Sequence, residues 1–242
     1  MPMTDASSRT PLTRQEVVAV LDSVPTFHLM NMGKKIFGSP DEAGELAIRW
    51  FVDVDEAMAA LELVQAHNPD VPLQLGVTPL GTAFALVQGW EPNGSKLPLR
   101  LQASRATVAG VAEDLSAAWT AEEAATALPI FSCAELKSDR VIPFWVSKPD
   151  VKATWLATGR SEAEMPKELV VADLRSVVAK AMSADGASEA DWRKLMLVAS
   201  QKSAAGTFAW QHGEWTDSWR ALLSAGRPTR RRSCRTSRSR GT

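Results

Sequence analysis

The chain has 242 residues, 45% of them hydrophobic, and a formal net charge of −1 at pH 7, as is typical of a globular protein with a sizeable core. Its apolar runs are interrupted before they reach the roughly 18 residues of a membrane span, so we expect a soluble protein. Two cysteines, Cys133 and Cys234, with no metal-ligand spacing around them, argue against a disulfide-rich or zinc-dependent fold.

The near-neutral charge conceals a basic C-terminal end. Residues 227–242 contain seven arginines and no acidic residue, which leaves 20 basic against 28 acidic residues in the rest of the chain. Such an Arg/Ser-rich segment cannot bury apolar surface, so we predict a disordered tail. Arginine attracts phosphate, but the tail lacks aromatic residues that would stack on bases, so we predict no specific nucleic acid partner.

The predicted elements begin after residues 1–12, which we expect to be flexible. Thr13 and Glu16 match a capping box, in which a hydroxyl and a carboxylate bind free amides at the start of a helix. Val24–Phe27 begins a strand. A second strand, buried on both faces, is predicted from the apolar run of Ala47, Ile48, Trp50, Phe51 and Val52.

A further helix, strand and helix complete this unit. Asp53 and Glu56 predict the start of the helix that follows the second strand, because their carboxylates accept hydrogen bonds from free backbone amides. The strand is predicted over 73–77. The last helix carries Leu80, Phe84 and Val87.

The same pattern recurs 94 positions further along the chain. Between 45–87 and 139–181, eight of the 43 aligned pairs are identical. Ser147 and Asp150 take the places of Asp53 and Glu56, and Thr120–Glu123 offers a second capping box. A fixed period of this kind marks a duplicated supersecondary unit.

We therefore predict an α/β (α+β) fold of two pseudo-symmetric halves, each with the order helix, strand, strand, helix, strand, helix. The first half covers 13–100, and the second covers 101–226 with additional C-terminal helices. Together they form one compact domain over 13–226, and the tail over 227–242 lies outside it.

Four segments resemble the family of the 22-kilodalton component of the translocon at the inner envelope of chloroplasts. They are Val24–Phe27, Val141–Ser147 with Asp150, Ala172–Val178 with Met182, and the strand Leu195–Val198. The resemblance covers roughly residues 15–205. Each motif is short and apolar, and the match depends on their order and spacing within the duplicated frame.

The resemblance implies a butterfly-like domain and a non-enzymatic, chaperone-like role in protein import into plastids. The implied location is the intermembrane space of the chloroplast envelope, although no targeting presequence is recognised before Thr13. The implied partners are unfolded precursor proteins in transit and the translocon components of the outer and inner envelope. Peripheral contact with a membrane stays open.

Motifs for catalysis are absent from the sequence, and no cofactor or metal is expected. His28, His67 and His212 lie far apart and match no metal-binding spacing. Cys133 lacks a neighbouring base in the sequence, so we interpret it as a small core residue. An enzyme on a degenerate α/β scaffold remains an alternative, and so does a structural or adaptor subunit of a membrane complex.

The expected binding residues are apolar. Those following the two proline-containing strands are predicted to line a peptide-binding pocket: Phe27, Met30, Phe37, Phe131 and Leu136. Trp215 and Trp219 lie one helical turn apart with Leu222 beyond them, which predicts a helix that docks onto the body or binds a partner. The aromatic residues of the two buried runs are expected in the core: Trp50, Phe51, Phe144 and Trp145.

Overall fold

The computed structural model describes residues 10–41, 44–111 and 127–205, all within one compact unit that extends to Thr207. The helices and strands are, in chain order, α1 (Arg14–Leu21), β1 (Pro25–Asn31), β2 (Ser39–Pro40), β3 (Leu46–Phe51), α2 (Val54–His67), β4 (Leu73–Pro79), α3 (Leu80–Val87), β5 (Leu99–Gln102), α4 (Arg105–Gly110), β6 (Pro129–Ser132), β7 (Ile142–Trp145), α5 (Lys148–Ala157), β8 (Val170–Asp173), α6 (Leu174–Ala181), α7 (Ala184–Glu189) and β9 (Leu195–Val198). Residues 201–205 are also helical. The predicted α/β class is confirmed.

Local sequence accounts for the start of α1. The Thr13 hydroxyl accepts from the Glu16 amide at 3.3 Å, and the Glu16 carboxylate accepts from the Thr13 amide at 2.8 Å. This is the predicted capping box. The Glu16 carboxylate accepts from both the Thr13 amide and the Thr13 hydroxyl, and these two bonds hold the pKa of the Glu16 carboxyl below its usual value.

The first sheet is built around β1 and β3, which pair antiparallel with Phe27 opposite Phe51. On the far side of β1 lies β4, also antiparallel, with Pro25 opposite Pro79. On the far side of β3 lie the short β2 and, in parallel orientation, β5. β5 was not predicted, and it spans the position expected as the boundary between the halves.

The second sheet has the order β8-β6-β7-β9. β6 is antiparallel to both β7 and β8, with Phe131 opposite Trp145 and Pro129 opposite Asp173. β9 runs parallel to β7. Each strand pair of the second sheet has a counterpart in the first sheet. In this correspondence β6 matches β1, β7 matches β3, β8 matches β4 and β9 matches β5.

Part of this correspondence follows the period of the sequence repeat. β3 and β7 end at Phe51 and Trp145, 94 positions apart, whereas β1 and β6 begin at Pro25 and Pro129, 104 positions apart. α3 and α6 begin at Leu80 and Leu174 and end at Val87 and Ala181, so both of their ends are 94 positions apart. The shared topology supports the interpretation of the chain as two copies of one unit. The butterfly-like shape stays a prediction, and the second capping box at 120–123 lies outside the described residues.

The largest core cluster joins the two halves. It combines Leu21 of α1 and Phe84 of α3 with Ile130, Phe144 and Leu197 of the second sheet. The main chain just before α1 also bonds to the second half, because the Leu12 amide donates to the Ala181 carbonyl at 2.9 Å. The second sheet therefore shares an apolar layer with helices of the first half.

The aromatic residues of the two apolar runs are buried as predicted. Trp50 and Phe51 of β3 are 2% and 4% exposed, and Phe144 and Trp145 of β7 are 6% and 2% exposed. A smaller cluster around Phe131, Trp145 and Trp155 fills the space between the second sheet and α5. One strand ends later than predicted, since β4 continues to Pro79.

Candidate functional site

A cavity of about 450 Å³ lies where strands from both halves end. Its wall includes the residue that directly follows β3, Val52, and the one that directly follows β7, Val146. It also includes Ser104, two positions after β5, and Ser200, two positions after β9. Ligands of α/β proteins commonly bind in a crevice at the carboxyl ends of strands, which makes this cavity the candidate site.

The floor of the cavity is apolar. Leu128 and Phe131 are 3% and 1% exposed, and they belong to the two core clusters that meet here. Val111 and Val146 complete this surface and are also buried. Their burial fixes the floor in place, because each side chain is held by its own cluster.

The first helix terminus at the cavity belongs to α2. The Asp53 carboxylate accepts from the amides of Asp55 and Glu56 at 2.8 and 3.3 Å, so the predicted N-cap is confirmed for Asp53. Glu56 has another role, because its carboxylate accepts from the Arg105 amide at the start of α4. The Glu56 side chain therefore joins the first turn of α2 to the segment that follows β5.

The second helix terminus belongs to α5 and lacks a side-chain cap. Ser147 occupies the N-cap position but makes no capping hydrogen bond, so this part of the prediction is wrong. Asp150 instead accepts from the Gln201 amide at 3.4 Å, a long hydrogen bond, just after β9. In both halves, therefore, a carboxylate in the first turn of a helix bonds to the segment that follows the parallel strand. Glu56 of α2 does so after β5, and Asp150 of α5 does so after β9.

The helical segment 201–205 crosses from the second half to the first. The buried Ser203 hydroxyl donates to the Val52 carbonyl at 2.7 Å. Lys202, on the cavity wall, forms an ion pair with Asp55 at 2.7 Å. This hydrogen bond with Asp55 raises the pKa of the Lys202 amine, so the amine stays protonated and is no nucleophile.

Among the described residues, neither histidine nor cysteine lines the cavity, and no group of three or more residues is suited to a metal ion. Cys133 is buried beside Phe131, and burial raises the pKa of its thiol, in agreement with its expected role in the core. His28 is buried within β1, away from this lining.

The five residues predicted to bind peptide are distributed over several environments. Phe131 lines the cavity. Phe27 is fully buried in β1, and Met30 on the same strand is 9% exposed. Phe37 is half-buried, and the half-buried Leu136 packs against the cluster of Phe131. Of this set, Phe131 alone belongs to the cavity, and the role of the five in binding stays a prediction.

The sequence interpretation missed Ser104 and Ser200. Each follows a short strand by two positions and precedes a helical segment, and a serine at such a place is a signal for a helix N-terminus. The partner-binding helix predicted from Trp215, Trp219 and Leu222 lies outside the described residues, as does the arginine tail. In the described ranges, no helix is both long enough and apolar enough to cross a bilayer.

Solved structures with the same fold exist. Tic22 from Anabaena, a protein of protein transport, matches with a TM-score of 0.57 and 18% identity, over 82% of this chain and 97% of that one. Tic22 from Plasmodium falciparum matches with a TM-score of 0.57 and 13% identity, over 81% of this chain and 98% of that one. No protein-family model matches the sequence, and no curated protein does. The chain has a Tic22-like fold.

Proposed function

From this Tic22-like fold, we propose that the chain is a non-enzymatic factor of protein import that binds apolar stretches of precursor proteins in a chaperone-like way. The observation that carries the proposal is the cavity, because it combines an apolar floor with an open polar wall where the two halves meet. The protein-transport role of Anabaena Tic22 supports the same assignment.

The dimensions and chemistry of the cavity suit this role. A volume of about 450 Å³ lies within the range of roughly 300–1,000 Å³ that is usual for ligand pockets. Contact with its floor, formed by Leu128, Phe131 and Val146, is non-directional and depends on buried apolar area. Such contact tolerates many side chains, as a factor that serves many precursors requires.

The proposed location is the intermembrane space of a plastid envelope, with translocon components of both membranes as partners. This assignment depends on the relationship to Tic22 proteins. It is tested by fusing the complete gene product to a fluorescent protein and fractionating the organelle. Recovery in the stroma or the cytosol would contradict the location without affecting the proposed binding.

Filling the cavity tests the binding role directly. Ala106 is exposed on α4 and lines the cavity, so Ala106→Trp should occupy its space without disturbing the core. Ala109→Trp is the matched control, because Ala109 is exposed on the same helix but does not line the cavity. Fluorescence anisotropy with a labelled, unfolded apolar precursor segment measures the affinity.

We expect Ala106→Trp to weaken binding at least about tenfold, which corresponds to roughly 1.4 kcal/mol. Ala109→Trp should bind as the wild type does. Equal affinity of the wild type and Ala106→Trp would show that precursor segments do not enter this cavity.

A further inference from the structure

Three hydroxyl groups of the cavity wall have no hydrogen-bond partner among the described residues. They belong to Ser104 before α4, Thr107 on α4 and Ser147 before α5, and all three residues are half-buried. Ser200 on the same wall differs, because its hydroxyl donates to that of Ser203 at 2.9 Å. The three free hydroxyls are therefore available to a molecule that enters the cavity.

These hydroxyls restrict the chemistry of the ligand. A purely hydrocarbon ligand would cover Ser104, Thr107 and Ser147 and remove their water without offering hydrogen bonds in return, which opposes binding. A ligand that fits must present several donors and acceptors to the wall and apolar groups to the floor. An extended polypeptide does both, because its amide groups alternate with side chains along its length.

We propose that the cavity binds the main chain of an extended polypeptide segment, with Ser104, Thr107 and Ser147 bonding to its amide groups. The side chains of the segment pack against Leu128 and Phe131 on the floor. This inference rests on the proposed function and adds which groups of the cavity recognise which part of the bound segment. Amide groups are the same in every precursor, so hydrogen bonds to them strengthen binding without selecting a sequence.

The variants for the test remove the hydroxyls alone. Ser104→Ala, Thr107→Val and Ser147→Ala, singly and combined, take away groups that make no hydrogen bond within the described fold, so thermal stability should be unchanged. Ser176→Ala on α6 and Thr82→Val on α3 are the matched controls, because both residues are exposed and neither lines the cavity.

The probes are a labelled peptide of leucine, valine and alanine and the same peptide with alternate backbone amides N-methylated. N-methylation removes main-chain donors and keeps the side chains. We expect the wild type to bind the methylated peptide about three- to tenfold more weakly, the effect of losing one or two neutral hydrogen bonds. The triple variant should bind the unmodified peptide about tenfold more weakly and discriminate less between the two, and the control variants should bind as the wild type does.

The outcomes separate this inference from the proposed function. If the wild type binds both peptides equally and the triple variant keeps its affinity, main-chain recognition is refuted while peptide binding stands. If the wild type binds neither peptide, the proposed function fails together with the inference. If the triple variant loses affinity for both peptides equally, the hydroxyls do not accept hydrogen bonds from the main-chain amides, and the inference is refuted.

Discussion

The contact between α1 and α3 permits a prediction in which two physical effects have opposite signs. Gly81, in the first turn of α3, is buried against the last turn of α1. A Cβ atom at this position would clash with the main-chain carbonyl of Val18 and would lie 2.6 Å from the Asp22 carboxylate. That carboxylate accepts from the Thr82 amide at 3.2 Å, so Gly81→Ala also disturbs the cap of α3.

The expected net effect is destabilising. Alanine is favoured over glycine inside a helix by about 1 kcal/mol, which alone would stabilise the variant. The clash involves backbone that cannot rotate away, so we expect a cost near the upper end of the roughly 1–3 kcal/mol usual for overpacking. The difference is about 2 kcal/mol, which for a protein of this size corresponds to a fall in Tm of about 4–8 °C.

Thermal and denaturant unfolding measure this effect, with Gly110→Ala as the control. Gly110 ends α4 and has open space where its Cβ would lie, so its replacement should leave stability unchanged or raise it by up to about 1 kcal/mol. If Gly81→Ala is as stable as the wild type or more stable, α1 and α3 do not approach each other as closely as the structure shows.

Two other perturbations probe burial. Ser203→Ala leaves the Val52 carbonyl without its buried donor and should lower the free energy of unfolding by about 1–3 kcal/mol, measured by denaturant titration; an unchanged value would contradict the contact. Burial lowers the pKa of His28 from 6.5 to about 4, so the unfolded chain binds the proton more readily and stability should fall from pH 6.5 to pH 4, by up to about 3 kcal/mol. His28→Gln should reduce this fall, whereas replacing the exposed His67 by Gln should not; equal pH profiles for all three proteins would refute the assignment.

Much of the local structure was accessible from short stretches of sequence. Thr13 and Glu16 form their capping box, and Asp53 caps α2, because both involve groups only a few residues apart. Ser147 shows the limit of this reasoning. It occupies the expected N-cap position, yet its hydroxyl makes no capping bond, and Asp150 bonds instead to the distant Gln201 amide.

The apolar repeat also predicted which segments form the centres of the two sheets. It did not reveal β5, because this strand of four half-buried residues, Leu99–Gln102, has no continuous apolar run, and its apolar–polar alternation covers only four positions, the shortest length at which alternation indicates a strand. β5 matters for the candidate site because it pairs in parallel with β3 and places Ser104 and α4 on the cavity wall.

The predicted binding residues also show the difference between what the sequence predicts and what the tertiary structure decides. Phe27 and Phe131 occupy equivalent positions in the two sheets, opposite Phe51 and Trp145, and each stands two positions after the proline that begins its strand. In the structure Phe131 lines the cavity and Phe27 does not, although both side chains are buried in the core. The surroundings of an equivalent residue depend on which elements pack beside it, and those elements are distant in the chain.

The sequence alone thus determined the α/β class, the order of most elements and the aromatic core, because helix caps and apolar runs act over a few neighbouring residues. Only the tertiary structure decided where the candidate site lies. Ser104, Ser147 and Ser200 are separated by tens of residues and meet because the parallel strands β5 and β9 end beside β3 and β7. Strand pairing of this kind depends on long-range contacts, which no local pattern encodes.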